Sequence, residues 1–192
     1  MITGETGSAA TNPFPLPEEL PPDLSATLAY WRGLLRGEAK MPFWDDLVLS
    51  ALGDVLLRAM AIEVFDKPQR FRLDIVGSDV DRRAGGGLQG RFPDHDARQD
   101  PPLEFILAQS SAAVEAAAPT FYANRAGGDA AYGRLVLPMW GDGRISMLLA
   151  AVAFGEAAAR GPAGLERGPP GCYQGPPRGE GGANGRRRGR DR

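Results

Sequence analysis

The feature that most constrains this chain is the order in which strand-like segments occur. A strand pair falls near residues 59 to 76, a helical middle follows, and a second strand group runs from about residue 119 to 154. Two sheet halves separated by helices must be joined into one sheet that the helices then cover, and a concavity between sheet and helices is a common place for a ligand. The order points to an α+β domain that senses or binds before it points to catalysis.

The first pair follows from period-two alternation. Met60, Ile62 and Val64 alternate with Ala61, Glu63 and Phe65; after the turn Asp66-Lys67-Pro68, the residues Phe71, Leu73 and Ile75 alternate with Arg70, Arg72 and Asp74. This predicts one apolar and one wet face. The last pair is joined by Gly141-Asp142-Gly143, a sequence suited to positive backbone φ, and runs from Tyr132 to Pro138 and from Arg144 to Phe154. Ile145 to Phe154 carries no charge, which predicts a central strand buried on both faces, with Arg134 on its partner facing water.

Helices are expected where apolar residues recur at helical spacing. Leu24, Leu28, Trp31 and Leu35 form such a stripe after a cap at Asp23 or Ser25, with Gly37 ending the helix. The stripe serves either for packing on its own sheet or for contact with a partner. Trp44 to Leu57 is a second helical stretch, with Leu47, Leu49, Leu52, Leu56 and Leu57 turned wholly or partly inward, and a short helix fits between Gly77 and Gly87. From Leu103 to Ala117, Leu103, Ile106, Leu107, Ser110 and Val114 recur behind Pro101-Pro102, and Thr120 to Asn124 reads as a short strand.

These segments carry a spaced signature. Leu28-x-Tyr30-Trp31 lies on the opening helix and Met41-Pro42 follows; Phe71-Arg72-x-x-x-Val76-Gly77 comes next, then Gly90, then Tyr132-x-Arg134-Leu135-x-Leu137-Pro138 before the last strand. In this the chain, from about residue 28 to 154, resembles a bacterial branch of the PAS domains found as short, nearly stand-alone proteins. Ser78-Asp79-Val80 and the stretch Ala84 to Gly87 depart from that pattern on helices that would line a pocket. The resemblance implies a five-stranded antiparallel sheet in the order 2-1-5-4-3 with helices over one face. It also implies a sensory or interaction module without chemistry of its own.

Composition sets the boundaries. Residues 1 to 22 hold five prolines among small polar residues and are expected to be disordered, residues 23 to 154 form the domain, and the Gly/Pro/Arg-rich residues 155 to 192 are expected to be a disordered tail or a read-through or frameshifted end. That tail has eight arginines against four acidic residues, which leaves the remainder net acidic and argues against nucleic acid for the folded part. Cys172, the single cysteine, cannot form an internal disulfide, and no basic-then-apolar leader opens the chain. Ile145 to Phe154 is about half the roughly 20 residues of a membrane-spanning helix. A cytoplasmic protein without a membrane anchor is the expectation.

Candidate chemistry is sparse. Gly85-Gly86-Gly87-Leu88-Gln89-Gly90 matches G-x-G-x-x-G, but Arg91-Phe92-Pro93-Asp94 after it opens no helix, so a turn is the better account. His95, the only histidine, sits between aspartates in a polar stretch and suits a solvated loop better than a haem ligand or a catalytic triad. With no core cysteine, covalent flavin photochemistry is excluded, and no cofactor is assigned. Asp45-Asp46 and Asp79/Asp81 suit helix starts better than acid–base work. The run Arg186-Arg187-Arg188-Gly189-Arg190 lacks interleaved aromatics and reads as a solvated charge run.

Strand parity and helix phase nominate Phe71, Leu73, Ile75, Ile106, Ser110, Leu135, Leu137, Met147 and Leu149 as pocket lining, and Leu24, Leu28, Trp31 and Leu35 as an interface. Pocket and core use the same residue types, so periodicity leaves both open. The expected function is a non-catalytic module binding a small molecule or a signalling protein, with a homodimer as one route for output. The alternative is a nucleic-acid-associated regulator acting through the basic tail.

Overall fold

The computed structural model describes residues 12–93 and 101–159. Helix α1 (Pro22–Gly33) opens the domain; β1 (Ala59–Phe65) and β2 (Arg70–Val76) follow, then α2 (Ser78–Arg83), α3 (Ile106–Ala116), β3 (Thr120–Asn124), β4 (Tyr132–Gly141) and β5 (Arg144–Phe154). The five strands form one antiparallel sheet in the order β2-β1-β5-β4-β3, as expected. Asp142 and Gly143 both take positive φ, which closes the β4–β5 hairpin in the manner that Gly-Asp-Gly suggested. β5 is central, and every residue from Ile145 to Ala153 is buried. No helix among the described residues is long and apolar enough to cross a membrane.

Several local expectations change. α1 starts ahead of the expected cap at Asp23 or Ser25, with Pro22 in its first turn and Pro21 before it, because proline's fixed φ and missing N–H suit that place, and it ends at Gly33, before Gly37. Trp44 to Leu57 is two 3-10 stretches, Trp44–Asp46 and Leu49–Arg58, separated by extended backbone at Leu47 and Val48 and broken again where Gly53 takes positive φ. Of its leucines, Leu52 is buried and Leu57 is exposed. α3 begins at Ile106, not near Leu103, because Phe105 lies in the left-handed region and the carbonyls before it turn toward Arg134.

The domain also extends past both expected boundaries. Phe14, placed in a segment expected to be disordered, is fully buried, and its carbonyl accepts from the Phe121 N–H at 3.1 Å on the free edge of β3. Beyond Phe154, the Gly155 N–H donates to the Ala131 carbonyl, and Ala158 and Ala159 are buried. A side chain at Gly133 would collide with the Ala158 carbonyl and the Phe121 ring, so glycine there lets the chain cross close above the sheet.

Both faces of the β4–β5 half are covered. α3 packs on β3 and β4, while α1 packs on β4 and β5 and the Leu49–Arg58 stretch on β5 and β1. Arg134 faces α3, so alternation along β4 turns Leu135 and Leu137 to the opposite face, and both are fully buried there.

Candidate functional site

The predicted pocket residues do not face one space. Leu73, Ile62, Leu148 and Pro138 pair across β2, β1, β5 and β4 in one row, on the α3 face. Ile75, Ala61, Leu149 and Leu137 form another row on the opposite face. The switch occurs at a bulge: Ala61 pairs with Ile75 but Ile62 pairs with Leu73, so Asp74 is the extra residue and the expected Phe71-Leu73-Ile75 alternation breaks. Phe71, Leu73, Ile106 and Ser110 therefore belong with the α3 face. Ile75, Leu135, Leu137, Met147 and Leu149 belong with the other, and no single pocket gathers all nine.

The interface stripe is occupied within its own domain. Leu24, Leu28 and Trp31 are buried in the core, Leu35 packs against it half-buried, and the Trp31 indole donates to the Pro138 carbonyl at 3.0 Å. The reason is the unbroken burial of β4 and β5, which needs apolar cover that this helix provides.

The residue that sequence reasoning misplaced organises the most polar part of the interior. Arg134 was expected to face water and has no exposed surface at all. Its Nε donates to Gln109 Oε1 at 2.7 Å, one terminal nitrogen to the Pro102 carbonyl at 2.5 Å and the other to the Glu104 carbonyl at 2.7 Å. Gln109 answers by donating to the Arg134 carbonyl at 3.1 Å. The guanidinium also lies 5.3 Å from the Tyr122 ring centre and 6.0 Å from that of Tyr132. Burial lowers the Arg134 pKa, and the neighbouring tyrosines and Glu104 oppose that shift.

Around this clamp, Tyr122 and Asn124 both donate to Glu104 Oε2. Burial pushes the Tyr132 hydroxyl up to about 12, and pushes Tyr122 up further with help from Tyr132 and Glu104. Ser110 Oγ and Thr120 Oγ1 are buried with no hydrogen-bond partner among the described residues. The Arg134 charge survives burial because carbonyl dipoles and ring faces replace its water and the Glu104 carboxylate nearby favours the charged form. A signal for this was present: in the expected strand order β4 lies between β5 and β3, where a mid-strand charge needs internal partners.

The remaining candidates take structural roles. Asp81 Oδ1 accepts from the Leu88 N–H at 2.8 Å and so fixes the glycine-rich turn, Asp79 pairs with Arg82 at 2.6 Å, and Asp46 pairs with Arg36. The G-x-G-x-x-G segment follows α2, not a strand, and opens no helix. His95, Cys172 and the Arg186–Arg190 run lie outside the described residues. No group of three metal-ligating side chains occurs among the described residues. Comparison with protein-family models, with curated proteins and with solved structures found no match.

Proposed function

We propose that the chain is a PAS-like, non-catalytic regulatory module of the cytoplasm that acts by contact with a signalling protein. The observation that carries this reading is the sheet order β2-β1-β5-β4-β3, with α2 and α3 connecting its two halves. It is the layout implied by the sequence signature at Leu28 to Pro138.

Protein contact is favoured over a small ligand because the nominated lining is core. Phe71, Leu73 and Ile106 are each at most 3 % exposed and lie in one continuous cluster with the rest of the interior. The polar groups under α3 hold α3 itself, through Arg134 and Gln109.

Native mass spectrometry of the full chain, beside a denatured control and an absorption spectrum, tests this reading. The expected result is the polypeptide mass without an adduct. An adduct lost on denaturation would replace the reading by a small-molecule sensor, and an adduct chemically converted on standing would overturn the non-catalytic reading.

A further inference from the structure

The segment from Asn12 to α1 behaves as a ligand bound to its own domain. Phe14 is its anchor: the ring has no exposed surface and meets Tyr122 edge-on, with centroids 6.2 Å apart and planes at 71°. Tyr122 in turn meets Phe105 at 5.5 Å, so Phe14 closes an aromatic cluster at the end of the sheet. Its main chain bonds to the β3 edge through the Phe14 carbonyl and Phe121 N–H. This is how an added strand docks on a sheet.

Little else fastens this strap. Positions 13, 15 and 17 are prolines and carry no N–H, and the Phe14 N–H turns back to Asn12 Oδ1 at 2.9 Å. Among the described residues, the Phe121 bond is the only backbone hydrogen bond from strap to sheet. Leu16 and Leu20 pack against the core but stay half-buried. One buried ring, one hydrogen bond and two half-buried leucines therefore hold a proline-rich segment that joins α1 directly at Pro21-Pro22.

We propose that the strap is exchangeable, and that the groove holding Phe14 accepts the Asn12–Leu20 segment of a second copy of the chain. The second copy is the occupant because the groove's fit to this segment is already on view in cis. A swap restores the same ring contact and the same hydrogen bond without any new complementarity. Residues 13 to 17 are also partly preorganised by their prolines, which lowers the ordering cost of docking from another chain. This inference goes beyond the function proposed above and can fail while that reading stands.

The test uses the full chain and a dye-labelled peptide of residues 12 to 20. Phe14→Ala empties the groove in cis, so the variant should bind the peptide about tenfold or more tighter than the wild type, and a peptide with the same substitution should not bind. Sedimentation should show a concentration-dependent dimer for the wild type and a monomer for Phe14→Ala. A folded Phe14→Ala chain that ignores the peptide, or a wild type monomeric at every concentration, overturns the proposal. Should that variant fail to fold, amide exchange on the wild type decides. Strap release predicts that the Phe121 N–H exchanges at least about tenfold faster than the Tyr122 N–H, which faces β4. Equal rates would show that the strap leaves only with the whole domain, and would overturn exchange.

Discussion

The two faces of β4 solve the same burial problem with opposite chemistry. Toward α3, Arg134 and its neighbours Tyr122, Gln109 and Glu104 form a hydrogen-bonded polar layer, against which Tyr132 lays its ring. Toward the other face, Leu135, Leu137, Leu149 and Ala151 are fully buried apolar groups. An apolar face fixes that something covers it; a polar layer also fixes what covers it and in which register, because each donor needs its acceptor. α3 is thus held by particular atoms, whereas the opposite face is held by area.

The strongest way to break that contrast is Arg134→Met. It leaves the Gln109 side-chain oxygen and the Pro102 and Glu104 carbonyls without a buried donor, with an expected loss on the order of 3 kcal/mol. Leu137→Ala on the other face should cost about 2–5 kcal/mol through its cavity alone. The two losses overlap in size and differ in their coupling to Gln109. Gln109→Leu removes one orphaned acceptor and one bond to the residue 134 carbonyl, so it should be near neutral in the Arg134→Met background, but it should cost about 1–3 kcal/mol in the Leu137→Ala background, where it strips the buried Arg134 Nε of its acceptor. Urea unfolding of the singles and doubles gives both couplings, and equal effects in the two backgrounds would erase the distinction between the faces.

High pH separates the faces in another way. Tyr122 and Tyr132 hold their protons more tightly when folded than a free tyrosine, whose ordinary value is 10.0. Their contribution to stability is therefore complete below about pH 10 and is lost as pH rises through about 12, where folded Tyr132 ionises. The urea midpoint of the wild type should fall across that window. A chain with both Tyr122→Phe and Tyr132→Phe should show a much flatter profile, and an equally steep fall would place the titration elsewhere.

The contrast also explains what the sequence made legible. Apolar runs and turn residues disclosed the strands: an uncharged Ile145–Phe154 can only be central, and Gly141-Asp142-Gly143 supplies the φ values the hairpin needs. Side-chain direction was less visible, because a single bulge opposite Ile62 moves Ile75 to the other face without altering the alternation of letters. Arg134 was misread because charge alone suggests water, and its acceptors lie 25 and more residues away in sequence. Phe14 was hidden among prolines, where composition argues for disorder and a single anchor carries no periodic signal.

The smallest expected effect tests how firmly α3 is held at its ends. Both flanking residues, Phe105 and Ala117, take positive φ without being glycine. At Ala117 the backbone closes the helix: its N–H reaches the Ala113 and Val114 carbonyls, and the Ala118 N–H returns to Ala113. That is a position where glycine is ordinarily favoured. Ala117→Gly should thus stabilise the domain by about 0.5–1 kcal/mol, seen as a higher urea midpoint at unchanged slope. Phe105→Gly relieves the same backbone strain but removes the ring that meets Tyr122 at 5.5 Å, and should be destabilising. If both substitutions stabilise, Phe105 is strained without packing in return; if neither does, the polar layer beneath α3 fixes the helix so firmly that its ends no longer matter.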